Sequence, residues 1–183
     1  CGGQMEVFIE PIQQAPRLFI VGAGHVSLEL AQAAHRCGFR VHVVDDRENF
    51  ANTERFPDAE VTVEDIPAWL ERTDFPTDAF FVVVTRGHRQ DLDAVRQLAS
   101  KPWRYLGLIG SRAKVVRVFD ALSAEGTPAE QLERIHAPIG LDIGAVTPAE
   151  IAVSIVAELI AVRSGRAGEA HVAAAQLTAR RPR

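Results

Sequence analysis

From Arg17 onward the chain alternates short apolar runs with stretches in which apolar residues recur at helical spacing, the pattern of βαβ units around a mostly parallel sheet. The runs LFIV (18–21), RVHVV (40–44), EVTV (60–63), AFFVVVT (79–85) and YLGLIG (105–110) predict strands, and APIG (137–140) predicts a short sixth. Helices are expected between them over about 26–37, 67–72, 90–100 and 112–124. Gly38 and Gly126 suit the left-handed residue just past a helix, and Pro67 suits a first helical turn. Thr127-Pro-Ala-Glu130 and Thr147-Pro-Ala-Glu150 each place a capping threonine three residues ahead of a glutamate, so two further helices should start there. The second of these, Pro148 to Arg163, is largely apolar and should pack deep against the sheet. The expected architecture is α/β: a Rossmann-like, doubly wound, mostly parallel sheet with helices on both faces.

The ends read differently. QMEVFIE (4–10) is strand-like and PIQQAP (11–16) is a connector, and the chain opens on Cys1 rather than Met. Residues 1–16 are therefore read as a strand and linker ending an upstream region, 17–163 as the Rossmann-like domain, and 164–183 as a basic, Ala-rich tail. With 183 residues, 47% of them hydrophobic and 24% charged, the chain can fill a core without metals or disulfides. Two cysteines and no CxxC pair exclude a secreted disulfide framework and the usual zinc reading, and fit a reducing, cytoplasmic setting. The net charge of −4 argues against a nucleic-acid partner, and no apolar run reaches membrane-spanning length.

Chemistry concentrates where strands end. Leu18-Phe-Ile-Val-Gly22-Ala-Gly24-His25-Val26-Ser27 is a strand, a glycine turn and a helix start in sequence. Gly22 permits the tight turn, Gly24 lets backbone approach a pyrophosphate, and the free amides of the helix start attract the anion. Ser27 replaces the third glycine of GxGxxG. Asp45 follows Gly24 by 21 residues, where a carboxylate can take a ribose diol, with Asp46 a second candidate. Other polar sequences fall at later strand ends: Thr85-Arg86-Gly87-His88, Gly110-Ser111-Arg112 with Lys114, and Gly140-Leu-Asp142-Ile-Gly144. Ligands of open parallel sheets bind at those ends, so Arg47, Arg86, Arg112, Lys114, His25 and His88 suit an anionic, phosphate-bearing ligand.

Other readings of these residues stay open. His25 and His88 can serve local hydrogen bonds, and Arg112 and Lys114 can be surface charge, although the helix dipole disfavours cations at a helix start. His35, His42 and His136 read as structural or surface residues, and Cys37 as a packing residue. Cys1-Gly-Gly offers an unshielded thiol suited to thiol transfer or metal ligation, but an incidental exposed cysteine explains it equally well.

Taken together, CGG (1–3), IEP (9–11), GAGHVS (22–27), VVDDR (43–47), RFP (55–57), VVVTRGH (82–88) with Asp91, LGLIGSRAK (106–114) and PIGLDIGAVTPAEIAVSIVAEL (138–159) resemble the XdhC/CoxI family. The last block is the most specific. Members are accessory proteins of molybdenum hydroxylases such as xanthine dehydrogenase and carbon monoxide dehydrogenase. The resemblance implies that the protein holds the molybdenum cofactor (molybdopterin), supports exchange of an oxygen ligand for sulfur with a cysteine desulfurase, and delivers the cofactor to the apo-hydroxylase. It makes Cys1 the candidate for molybdenum or sulfur contact. Family members carry a further region before the CGG segment.

Two alternatives compete with this maturation role. One is an NAD-dependent oxidoreductase with His25 or His88 moving a proton, in which Asp45 would favour NAD over NADP. Against it, no substrate domain is evident. The other is a nucleotide-sensing regulatory module, which needs the glycine turn but not Cys1. A homodimer is left open.

Overall fold

A computed structural model describes residues 14–166. Among the described residues five strands form one sheet: β1 (Arg17–Val21), β2 (Arg40–Asp45), β3 (Glu60–Val63), β4 (Phe80–Val83) and β5 (Tyr105–Leu108). Their order is β3-β2-β1-β4-β5 and every pairing is parallel. The central strands are buried on both faces because helices cover both, which is why they read as unbroken apolar runs instead of alternating ones. Leu18 and Ile20 of β1 point into one core layer, and Phe19 and Val21 into the other.

The first layer packs α1 (His25–Arg36) and α6 (Pro148–Arg163) against the sheet; the second packs α2 (Ile66–Arg72), α3 (His88–Ala99) and α4 (Arg112–Ala124). A short α5 (Ala129–Glu133) follows α4 in the chain. The doubly wound α/β expectation holds. No described helix is long and apolar enough to cross a membrane.

Local rules explain the helix ends. Gly38, at φ +83°, closes α1: its N–H bonds to the His35 carbonyl while the Phe39 N–H bonds to that of Ala34. Gly126, at φ +95°, closes α4 in the same way, with the Thr127 N–H on the Leu122 carbonyl. That bond corrects one expectation. Thr127 is used to terminate α4, and α5 starts at Ala129 with Pro128 at the cap position. At α6 the capping box forms as expected, Thr147 Oγ1 accepting from the Glu150 N–H and the Glu150 carboxylate accepting from the Thr147 N–H.

The sixth strand is also corrected. Near 137–140 the described residues form a single bridge, His136 with Gly107 of β5, and past Pro138 the Ile139 N–H bonds to the Leu108 carbonyl at 3.0 Å without extending it into a strand. Pro138 has no N–H to extend the ladder, and the Ala137–Pro138 peptide is cis. The strand-like segment 4–10, Cys1 and most of the basic tail lie outside the described residues.

Candidate functional site

The chain runs from β1 to β3 toward one edge of the sheet and returns to β4 and β5 on the other side, so winding reverses between β1 and β4. Crevices form at such reversals, at the carboxyl ends of the strands. Three helices start at the ends of β1, β4 and β5, and their first residues are His25, His88 and Arg112, all exposed. The cap residues of α1 and α3 are Gly24 and Gly87, and neither helix start receives a side-chain cap bond. Ser111 caps α4 by accepting from the Lys114 N–H at 3.3 Å. Val26, one residue into α1, is half-buried.

The two glycines of the turn have separate causes. Gly22 adopts φ +113°, and a Cβ there would lie 2.4 Å from the Val84 carbonyl oxygen, so the fold itself demands glycine. At Gly24 the backbone is ordinary and a Cβ would meet nothing within 4 Å. Fold packing gives no reason for that glycine; what its missing side chain leaves is open space before α1.

At the end of β2, Asp45 is 2% exposed. Its Oδ2 accepts from the Ala23 N–H at 2.8 Å, and its two oxygens accept from Arg47 Nε and Nη2, each at 2.8 Å. The Arg47 N–H adds a fourth bond at 3.1 Å. Burial acts to raise the Asp45 pKa, but the Arg47 guanidinium and these N–H groups outweigh it and bring it down to about 2. In this arrangement Asp45 braces the glycine turn, and its acceptor positions are taken up within the chain. Arg55 supports the same turn, its Nη1 donating to the carbonyls of Ala23 and Phe50 at 2.9 and 2.6 Å. Arg86, at the end of β4, pairs with Asp46, at the end of β2, at 2.9 Å, so an exposed ion pair reaches past the end of β1 between them.

At the ends of β4 and β5 lies a second charge pair, its acid buried and its lysine half-buried. Lys114 pairs with Asp91 and donates to the Ile109 carbonyl at 3.0 Å, while Thr85 Oγ1 donates to Asp91 Oδ1 at 2.8 Å. The Lys114 ammonium is thereby committed to joining α3 to the segment after β5. Gly110 makes room for it, since a Cβ there would come 2.6 Å from Lys114 Cδ. Among the described residues Arg112 forms no ion pair.

Beside Arg112 opens a cavity of about 440 Å³, bounded by Ile109, Gly110, the 138–145 loop and the inner face of α6. Asp142 lines it and is otherwise exposed. Its wall includes Glu158, a residue that sequence reasoning missed. Glu158 is 2% exposed; its Oε2 accepts from the Tyr105 hydroxyl at 2.5 Å and the Gly140 N–H at 2.8 Å, and its Oε1 lies 3.0 Å from His136 Nδ1. Burial works to raise its pKa, yet the bonds from His136 and Tyr105 hold it below the ordinary glutamate value. Burial and the adjoining carboxylate push the Tyr105 phenol well above its usual pKa. The signal for this cluster was an acid inside the apolar run IAVSIVAELIAV. No group of three or more acidic, histidine or cysteine side chains among the described residues has metal-holding geometry.

Comparison with known proteins agrees with this architecture. Residues 18–159 match the family model described as the XdhC Rossmann domain. The chain is 39% identical over 170 residues to the uncharacterized protein YqeB of Escherichia coli, covering 92% of this chain and 31% of that protein. It is 37% identical over 159 residues to a probable xanthine dehydrogenase subunit of Bacillus subtilis, covering 86% of this chain and 46% of that protein. The crystal structure of a xanthine dehydrogenase from Bacillus halodurans superposes with a TM-score of 0.73 at 35% identity, over 82% of this chain and 43% of that one. The chain thus spans less than half the length of the curated relatives it matches. The glycine turn, the parallel sheet reversing between β1 and β4, and a family match covering all five strands place this chain in the XdhC family, as its Rossmann domain.

Proposed function

We propose that this chain serves a molybdenum hydroxylase of the xanthine dehydrogenase kind as an accessory protein, binding the molybdenum cofactor as cargo. It supports sulfuration of the cofactor with a cysteine desulfurase and delivers it to the apo-hydroxylase. The observation that carries the reading is Gly24: at the reversal of the sheet, its missing side chain leaves open space in front of a helix start with no side-chain cap. A phosphate there would meet the amides of Gly24 to Val26, and Arg86 and Arg112 stand at the neighbouring strand ends to balance its charge. The residues present therefore fit the phosphate-bearing end of the cofactor. When bound, the cofactor supplies the metal that takes up sulfur, and Cys1 is the residue assigned to contact it.

The NAD-dependent reading has less support, because Asp45, its ribose acceptor, already receives four hydrogen bonds from Ala23 and Arg47. The test is equilibrium binding of the full-length protein to molybdenum cofactor and, in parallel, to NAD, with Gly24→Val and Cys1→Ser variants. The expected result is cofactor binding that is abolished in a folded Gly24→Val protein and weakened by Cys1→Ser. Tight NAD binding without affinity for the molybdenum cofactor would overturn the proposal.

A further inference from the structure

The cavity beside α6 has a polarity of its own. Its walls carry the branched side chains of Ile109, Ile139, Ile143 and Ile151, which suit the faces of a flat ring. Two acceptors lie on the inner side. Ser154 Oγ gives its proton to the Ile151 carbonyl at 2.9 Å and keeps its lone pairs. Glu158 also lines the cavity, and among the described residues its Oε1 has one neighbouring donor, His136, where Oε2 has two, so the carboxylate keeps acceptor capacity. Arg112 is the cation lining the cavity, and it has no acidic partner among the described residues. The 138–145 wall is held close to α6: a Cβ on Gly140 would come 2.4 Å from Ser154 Oγ.

The location matters as much as the lining. β1, β4 and β5 are neighbours in the sheet, so the cavity at the end of β5 lies two strand spacings, roughly 10 Å, from the glycine turn at the end of β1. We infer that the cavity receives the ring of a flat nitrogen heterocycle bearing amino or amide N–H groups, whose phosphate points out past Arg112 toward the glycine turn. The N–H edge faces Ser154 and Glu158, the ring faces meet the isoleucines, and the anion leaves on the cationic side. The inference rests on the reading that the strand-end crevice takes a phosphate-bearing cofactor, and it adds where the other end of that ligand goes. A pterin phosphate and a nicotinamide nucleotide share this chemistry.

Calorimetric titration of the full-length protein separates the parts. The probes are neopterin (ring without phosphate), neopterin monophosphate, nicotinamide mononucleotide and ribose 5-phosphate (phosphate without ring). Ser154→Ala removes one acceptor, and Ala145→Phe narrows the cavity from a partly exposed position. Both variants should weaken a ring-bearing probe by about tenfold or more and leave ribose 5-phosphate unchanged, whereas Arg112→Gln should weaken only probes carrying phosphate. The stronger binder of the two phosphorylated ring probes identifies the source. Ring probes that bind no better than ribose 5-phosphate, or that are indifferent to both cavity variants in proteins melting like the parent, would overturn the inference. That result would leave molybdenum cofactor binding through the glycine turn standing, whereas cofactor binding that is absent or unchanged by Gly24→Val would overturn the glycine-turn reading and leave the ring-probe result standing, so the two failures are distinguishable.

Discussion

Asp45 and Glu158 are both carboxylates with 2% of their surface exposed, and both are held below their ordinary pKa, but by different means. Asp45 faces a guanidinium and two backbone N–H groups, so its charge is balanced by a charge. Glu158 is surrounded by a phenol, an imidazole and one N–H. The first arrangement is closed: a charged partner saturates the acid and ties the end of β2 to the glycine turn. The second leaves part of its acid on the wall of a cavity. Burial of an acid thus marks a brace in one place and the border of a binding space in the other, and the partner set tells them apart.

The largest expected effect comes from the network around Glu158. Glu158→Ala leaves the Tyr105 hydroxyl and the Gly140 N–H without their acceptor in a buried region, which should cost about 3 kcal/mol of unfolding free energy in denaturant titration. A cost below about 1 kcal/mol would mean that water from the cavity replaces the carboxylate, and the network would then not be a structural unit. Asp45→Asn should cost less, about 2 kcal/mol, because Arg47 is partly exposed and can return to water. Its clearer signature is in pH. The folded pKa of Asp45 lies below its ordinary value, so its contribution is full above about pH 4 and lost as pH falls toward 2. In the parent protein that loss should be on the order of 1–2 kcal/mol, and Asp45→Asn should flatten this part of the acid limb. An unchanged limb would remove the charge pair as the brace.

The contrast also explains what can be read from sequence. The strands are legible because fully covered parallel strands are continuous apolar runs with polar ends, and the residues at those ends, Gly22, Gly24, Asp45, Arg86, Gly110 and Arg112, can be named from that alone. Asp45 belongs to a local grammar: a glycine turn, then an acid one strand later. Glu158 has none. Its partners Tyr105, His136 and Gly140 are 53, 22 and 18 residues away, and only the packing of α6 over β5 assembles them. What the sequence does not convey at the legible positions is engagement. Asp45 and Lys114 carry the residue types of a binding site, but their charges are taken by Arg47 and Asp91, and such pairings depend on where loops from different strands meet. The short strand near 137–140 fails for a related reason, since its composition suits a strand but Pro138 removes the N–H that would continue the ladder.

The smallest expected effect sharpens the boundary between brace and site. Asp46 stands one residue past Asp45, yet its bond to Arg86 is exposed on both sides, the Arg86 side chain at 49% and that of Asp46 at 33%. An exposed pair of this kind contributes little, so Asp46→Asn should change unfolding free energy by less than about 0.5 kcal/mol. Its consequence for ligands is different. Asp46 holds Arg86 beside the end of β1, and removing the carboxylate's charge frees that guanidinium for an incoming phosphate. Asp46→Asn should therefore tighten binding of a phosphate-bearing probe a few-fold at low salt, with the gain fading as ionic strength rises. A destabilisation comparable to Asp45→Asn would instead make the whole of Asp45–Arg47 one structural unit, and would move the edge of the site from the end of β2 to β1.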